Sequence, residues 1–236
     1  MSKSCKKNTR LQLRFLLLLA LLSCGLALSA QDTTVVRDLQ LWTGVKIEKK
    51  FAGDWSVFLA EEIRFKHDIS EINNHFTEAG LRYRINKNFA LEGQYRITFD
   101  KNKDATYDLL TRYALDLRYK GRLDFITIFY RLRYQKEVEG WDLLDPNVLY
   151  QKYVRNRVRI RYEDLGRFKP YLSAEIFHLF EPYQAARYEY MRFLIGVKYY
   201  MPRAGVFDLA YGLNLELAET QPAKIYNIKI NYTYSF

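Results

Sequence analysis

Four arginines recur at a spacing of two in Arg155-Asn156-Arg157-Val158-Arg159-Ile160-Arg161. Successive side chains of an extended strand point to opposite faces. The four guanidinium groups therefore share one side, and Tyr150, Val154, Val158, Ile160 and Tyr162 share the other. Such a row either pairs with carboxylates through charge-assisted hydrogen bonds or presents positive charge to an anion. The matching polar side of other segments supplies Arg64, Arg82, Arg84, Arg96, Arg112, Arg118, Arg131, Arg133, Arg192 and Lys198. Acids on that side are Glu62, Glu78, Glu92, Asp108, Asp116, Glu175, Asp208 and Glu216. The candidate interior residues are Arg155, Arg157, Arg159, Arg161, Arg82, Arg84, Arg96, Arg112, Arg131, Arg133, Glu92, Asp116 and Glu175. Together they form either an ion-paired filling or a narrow, anion-leaning passage for a small anionic solute. Nucleic acid is not an expected partner, because the tyrosines interleaved with the arginines lie on the opposite face from them.

Catalytic chemistry has few candidates. The histidines are His67, His75 and His178, and a nucleophilic serine needs a base within hydrogen-bond reach. Ser173 lies five residues from His178, hence on the other face of a strand, and Ser70 shares a loop edge with His67. No Gly-rich phosphate loop and no metal-ligand spacing stands out, so no cofactor is expected. A lipid hydrolase or acyltransferase built on the same scaffold is the enzymatic alternative to a non-catalytic protein.

The elements that must carry these residues are strands. The chain ends Ile225-Tyr226-Asn227-Ile228-Lys229-Ile230-Asn231-Tyr232-Thr233-Tyr234-Ser235-Phe236. One face carries Tyr226, Ile228, Ile230, Tyr232, Tyr234 and Phe236; the other carries Asn227, Lys229, Asn231, Thr233 and Ser235. That pattern suits the last strand of an outer-membrane β-barrel, with Tyr232, Tyr234 and Phe236 as its assembly signal. Eleven alternating segments occur near 39–51, 55–67, 75–86, 89–100, 106–119, 123–136, 148–162, 169–181, 187–200, 205–217 and 225–236. Each reaches the roughly 9–11 residues of a tilted crossing. Ala52–Asp54, Asn86–Asn88, Lys120–Arg122, Glu163–Arg167 and Pro202–Ala204 are the tight connections. Asp68–Asn74, Asp100–Ala105, Glu137–Asn147, Glu181–Ala186 and Ala218–Ala223 are the longer ones, an asymmetry typical of such barrels.

The expected fold is all-β, a closed antiparallel transmembrane barrel of 10–12 strands. Bacterial single-chain barrels have even strand numbers, so eleven segments call for an extra short strand at Asp32–Asp38, a segment there that threads the lumen, or one segment that does not span. Phe65, Phe99, Tyr107, Tyr134 and Tyr150 are expected near the outer interface, and Phe51, Trp55, Phe89, Tyr119, Tyr162 and Tyr234 near the inner one. Glu61 falls on an otherwise apolar face, which a β-bulge would relieve. Lys152 and Glu189 also fall there, near strand ends. A soluble barrel with an apolar interior accounts less well for the strand number, the aromatics at strand ends and the final phenylalanine.

The amino terminus implies export. Lys3, Lys6, Lys7, Arg10 and Arg14 precede the apolar run 15–22, and Ser29-Ala30 precedes Gln31. This is the layout of a cleaved signal peptide over 1–30, leaving one barrel domain over 31–236. Leu21-Leu22-Ser23-Cys24 offers a lipid-attachment alternative. Both cysteines, Cys5 and Cys24, lie in this segment, so a processed chain has no disulfide or thiol chemistry. Loss of its five basic residues lowers the formal charge from +10 to +5. After Gln31 no stretch is apolar enough for a membrane helix.

Three stretches resemble one family: Glu78-Ala79-Gly80-Leu81-Arg82-Tyr83-Arg84-Ile85-Asn86-Lys87-Asn88-Phe89-Ala90-Leu91-Glu92-Gly93-Gln94-Tyr95-Arg96, Asp38-Leu39-Gln40-Leu41-Trp42, and Lys169-Pro170-Tyr171-Leu172-Ser173-Ala174-Glu175. The family is the outer-membrane barrel group called domain of unknown function 2490, and the similarity covers about residues 36–236. It implies a Gram-negative outer-membrane location, contact with membrane lipid and lipopolysaccharide, and insertion by the outer-membrane assembly machinery. It implies no activity.

Overall fold

The structure, a computed structural model, describes residues 37–236 apart from 52, 103, 105, 142–149, 182–184 and 218–222. The expected signal peptide, its cleavage site, both cysteines, residues 31–36 and parts of five connections lie outside the described residues. No helix occurs among those described. The strands are β1 (Arg37–Phe51), β2 (Trp55–Lys66), β3 (Glu71–Arg84), β4 (Phe89–Lys101), β5 (Tyr107–Leu123), β6 (Ile126–Glu139), β7 (Tyr150–Tyr162), β8 (Phe168–Phe180), β9 (Arg187–Met201), β10 (Gly205–Glu216) and β11 (Lys224–Ser235). Each pairs with its neighbours in sequence, and β1 closes on β11.

All eleven expected segments are strands, and the antiparallel expectation is corrected at one place. Ten ladders are antiparallel, whereas β1 and β11 run parallel, from Arg37 opposite Lys224 to Glu48 opposite Ser235. The cause is arithmetic. Strands in a meander alternate in direction, so an odd number leaves the first and last pointing the same way. Of the segment expected to add a strand or thread the lumen at Asp32–Asp38, Arg37 and Asp38 belong to β1 and the rest lies outside the described residues.

Alternation sorts the two faces sharply. Leu115 is 61% exposed and its neighbour Asp116 only 2%. The outer surface carries Val45, Ile47, Leu59, Leu91, Leu117, Ile160, Ile195, Leu209 and Ile230 as exposed apolar groups, while Glu92, Thr127, Glu175 and Asn227 are buried. This inverts the arrangement of a water-soluble domain, where charged side chains are seldom buried. Aromatic pairs gather toward the tight-turn end, with ring centroids 4.7 Å apart for Trp55 and Tyr83, 5.1 Å for Phe89 and Tyr119, and 4.8 Å for Phe168 and Tyr199. At the other end His75 stacks on Phe99 at 4.9 Å and His178 on Tyr188 at 4.6 Å. Tyr134 departs from its expected place: it sits near mid-strand, 6.4 Å from Tyr113.

Several boundaries move. β5 continues through Lys120-Gly121-Arg122 to Leu123, and the turn falls at Asp124 and Phe125. Gly121 is a seat for a ring, not a turn residue: a Cβ there would meet the Tyr119 hydroxyl at 2.7 Å. The connection expected over Asp68–Asn74 shrinks to His67–Ser70, because β3 begins at Glu71. There His67, Asp68 and Ile69 all adopt positive φ, a conformation costly for side chains with a Cβ. Two N–H groups of this turn donate to β1, Ile69 N to the Leu39 carbonyl at 3.2 Å and Asp68 N to the Asp38 side chain (Oδ1) at 3.1 Å, and help hold it.

No bulge relieves Glu61. Register between β2 and β3 is unbroken from Trp55 to Arg64 and shifts only between Arg64 and Phe65. Glu61 faces outward and accepts a 2.5 Å hydrogen bond from the Thr77 hydroxyl directly across the ladder. A second irregularity, opposite Phe177 and His178, leaves Glu189 without a cross-strand partner.

Candidate functional site: the charged interior

The interior is organised by inward-facing positions on every strand. Around the β4–β5–β6 wall, Arg133 grips Asp116 with Nε to Oδ1 at 2.6 Å and Nη2 to Oδ2 at 2.8 Å, and also donates to Gln94 Oε1 at 2.7 Å. Arg118 donates to Glu92 Oε1 at 2.6 Å and to Asp116 Oδ2 at 3.2 Å. Arg82 reaches the other Glu92 oxygen at 2.5 Å and Glu48 at 2.9 Å. On the same wall, Arg96 and Arg112 share Glu78 Oε2, at 2.7 and 3.2 Å. Fork-shaped donors on carboxylates are a strong neutralisation of buried charge, and both oxygens of Glu92 and of Asp116 are bonded in this way.

The β7–β8 wall is different. Arg155 places Nε 3.0 Å from Glu175 Oε1 and Nη1 2.9 Å from Gln135. Arg131 donates to that same Glu175 oxygen. Arg161, near the turn, pairs with Glu163 at 2.7 Å and with the Tyr200 hydroxyl at 2.9 Å. Between them Arg157 and Arg159 pair with no carboxylate among the described residues. The Arg159 guanidinium instead lies 4.4 Å over the Tyr171 ring, and its Nε finds no hydrogen-bond partner.

Of the residues singled out from sequence, Arg96, Arg112, Arg131, Arg133, Arg155, Arg157, Arg159, Glu92 and Glu175 line a central cavity of about 690 Å³. Asp116 sits behind that lining, buried by its arginines. Arg82 borders a smaller cavity of about 210 Å³ beside the β3–β4 turn. Arg84 borders that smaller cavity as well. It is on the inward parity but at the strand's end, so its half-exposed side chain reaches the rim, 3.9 Å from Asp54. At the carboxyl terminus, Tyr232 packs on Phe207 at 5.0 Å and donates to the Ala204 carbonyl, and Tyr234 stacks on Phe236 at 5.9 Å. Phe236 is tied to β1 by Lys50 N to Phe236 O at 3.1 Å and Phe236 N to Glu48 O at 3.0 Å.

A second set of interior residues was not singled out from sequence: aromatics that point inward and receive cations on their faces. Lys46 lies 3.6 Å from the Phe58 ring centroid, Arg96 3.4 Å from Phe76, Arg64 4.3 Å from Trp42 and Arg155 4.1 Å from Phe177. Their attraction, about 1–2 kcal/mol when desolvated, supplements the ion pairs. The signal was present as parity: Trp42 shares a face with Gln40 and Lys46, and Phe58 with Ser56 and Glu62. Gly80 makes room for Phe58, since a Cβ there would stand 2.3 Å from the ring.

The lining of the central cavity carries thirteen Lys and Arg against nine Asp and Glu, and one of those nine, Glu61, faces outward. No group of three or more His, Cys, Asp or Glu able to hold a metal occurs among the described residues. Nor does the loop near His67 assemble a catalytic pair: Ser70 donates its hydroxyl to the His67 backbone carbonyl at 2.5 Å, while the His67 ring contacts Glu71 at 2.9 Å. His75 and His178 are engaged in the outward ring stacks.

Neither the curated proteins nor the solved structures compared with this chain include a match. Residues 39–218, covering most of the barrel from β1 into the connection after β10, match the family described as "Protein of unknown function (DUF2490)", and the chain belongs to that family.

Proposed function

We propose that this protein is a non-enzymatic outer-membrane barrel of Gram-negative bacteria that admits small anions into a narrow, arginine-lined interior. The observation that carries the reading is the excess of cationic over acidic side chains around the central cavity, because rings of Arg and Lys favour anions. Membrane embedding is supported by the apolar exterior and by aromatic pairs toward the strand ends, which suit hydrocarbon and headgroup depth respectively. The parallel seam is the device by which an odd number of strands departs from the usual even count. Export by a cleaved signal peptide over 1–30, insertion by the outer-membrane assembly machinery, and contact with lipid and lipopolysaccharide complete the reading.

The test is reconstitution of the purified protein in planar bilayers, with reversal potentials measured across a KCl gradient. Steady, anion-preferring conductance is the expected result. Cation preference, or an electrically silent barrel that still shows heat-modifiable migration on gels, would overturn the anion reading and leave the ion-pair network as a plug.

A further inference from the structure

Arg118, Arg131 and Arg157 stand directly opposite one another on β5, β6 and β7. Paired strands lie only about 4.8 Å apart, and like charges in direct opposition across a ladder are unfavourable. The acids nearby are already committed. Glu92 and Asp116 bind Arg118, and Asp116 also binds Arg133. One oxygen of Glu175 receives both Arg131 and Arg155. Arg157 is left with no carboxylate. Arg131 is only 6% exposed, yet its Nε has no acceptor. A buried cationic N–H without a partner forfeits its hydration and receives nothing in return. These three arginines border both the 690 Å³ central cavity and the 210 Å³ cavity beside the β3–β4 turn.

We propose that Arg131 and Arg157, with Arg118 beside them, form an internal binding site for a small dissolved oxyanion of the sulfate or phosphate class. The site lies where the two cavities share a wall. An oxyanion supplies what the three-arginine row lacks: negative charge between cations that face one another, and several acceptor oxygens for fork-shaped donors. A halide would neutralise the charge without matching the forks. This inference deepens the anion reading above and rests on it for its role, but its chemistry is tested without a membrane.

The experiment is titration of the full barrel, folded in detergent micelles, with sodium sulfate and separately with sodium phosphate. Sodium chloride at matched ionic strength serves as the control, and binding is read by calorimetry and by the shift in melting temperature. Saturable sulfate binding that chloride does not reproduce is expected, weakened at least tenfold by Arg157→Gln. Equal sulfate affinity in the wild type and Arg157→Gln, or a wild-type response no larger than that to chloride, overturns the site. Should Arg157→Gln not fold, Arg157→Lys decides, because it keeps the charge and removes the fork: sulfate affinity within twofold of wild type overturns the proposal. A barrel that conducts anions but binds no sulfate refutes only this site, whereas one that binds sulfate but is silent in bilayers refutes only the passage.

Discussion

Asp116 is the residue whose loss the interior should tolerate least. Its side chain is completely enclosed and accepts two short bonds from Arg133 and a third, at 3.2 Å, from Arg118. Asp116→Asn keeps the volume and removes the charge, and it turns an amide donor toward guanidinium groups that can only donate. Removing one partner of a buried pair costs about 3–5 kcal/mol. Here Arg133 retains Gln94 Oε1 at 2.7 Å and Arg118 retains Glu92 at 2.6 Å, which places the expected loss near the lower end, about 3 kcal/mol. Arg133→Gln should cost a similar amount for the reciprocal reason. The double variant should cost less than the two singles combined, with a coupling of about 2 kcal/mol, because the second change no longer strands a charge. The assay is equilibrium urea unfolding of the barrel in lipid vesicles, followed by tryptophan fluorescence. Single losses below about 1 kcal/mol, or a strictly additive double variant, would refute the view that these ion pairs hold the interior together.

Three further outcomes are expected. Glu61→Leu should stabilise the barrel in lipid vesicles by about 1 kcal/mol, since it removes a carboxylate from the apolar outer face at the loss of one hydrogen bond; urea midpoints that fall would place that face in water. Gly80→Val should destabilise by about 1–3 kcal/mol, because its Cβ would collide with the Phe58 ring; an unchanged midpoint would mean that the ring moves freely. Deleting Phe236 removes two backbone bonds to β1 and the stack on Tyr234, so the rate at which the compact gel band forms in vesicles should fall severalfold; an unaltered rate would remove the terminal residue from assembly.

The strand segments and their faces were legible because a period of two is written into the sequence itself. Tyr226 to Phe236, or Arg155 to Arg161, can be sorted by counting alone. What counting cannot supply is distance. Glu175 and Asp116 were recognisable as interior acids, but which arginines they satisfy depends on register between strands dozens of residues apart, so the isolation of Arg157 and Arg159 became visible only in the folded barrel. That Arg84 reaches the rim was not legible either, because parity says which face a residue is on and nothing about height. Trp42, Phe58, Phe76 and Phe177 go unnoticed when aromatics are weighed only for recurrence at strand ends, because their inward parity has to be read residue by residue. The odd strand count was in plain sight, and its resolution required the possibility of a parallel closure.

That closure has a kinetic meaning. Every other ladder joins strands that follow one another in sequence, whereas the seam brings Arg37 to Lys224, 187 positions later. From a free chain, closing such a loop costs about 3 kcal/mol more than closing a four-residue turn. Parallel pairing also gives slightly less per residue than antiparallel pairing. The hairpins should therefore form first and shorten the path, with the twelve rungs from Arg37 to Glu48 zipping last. On warming, the same rungs should part first, so the protein's lifetime as a closed ring is set by the one boundary where its two ends run side by side.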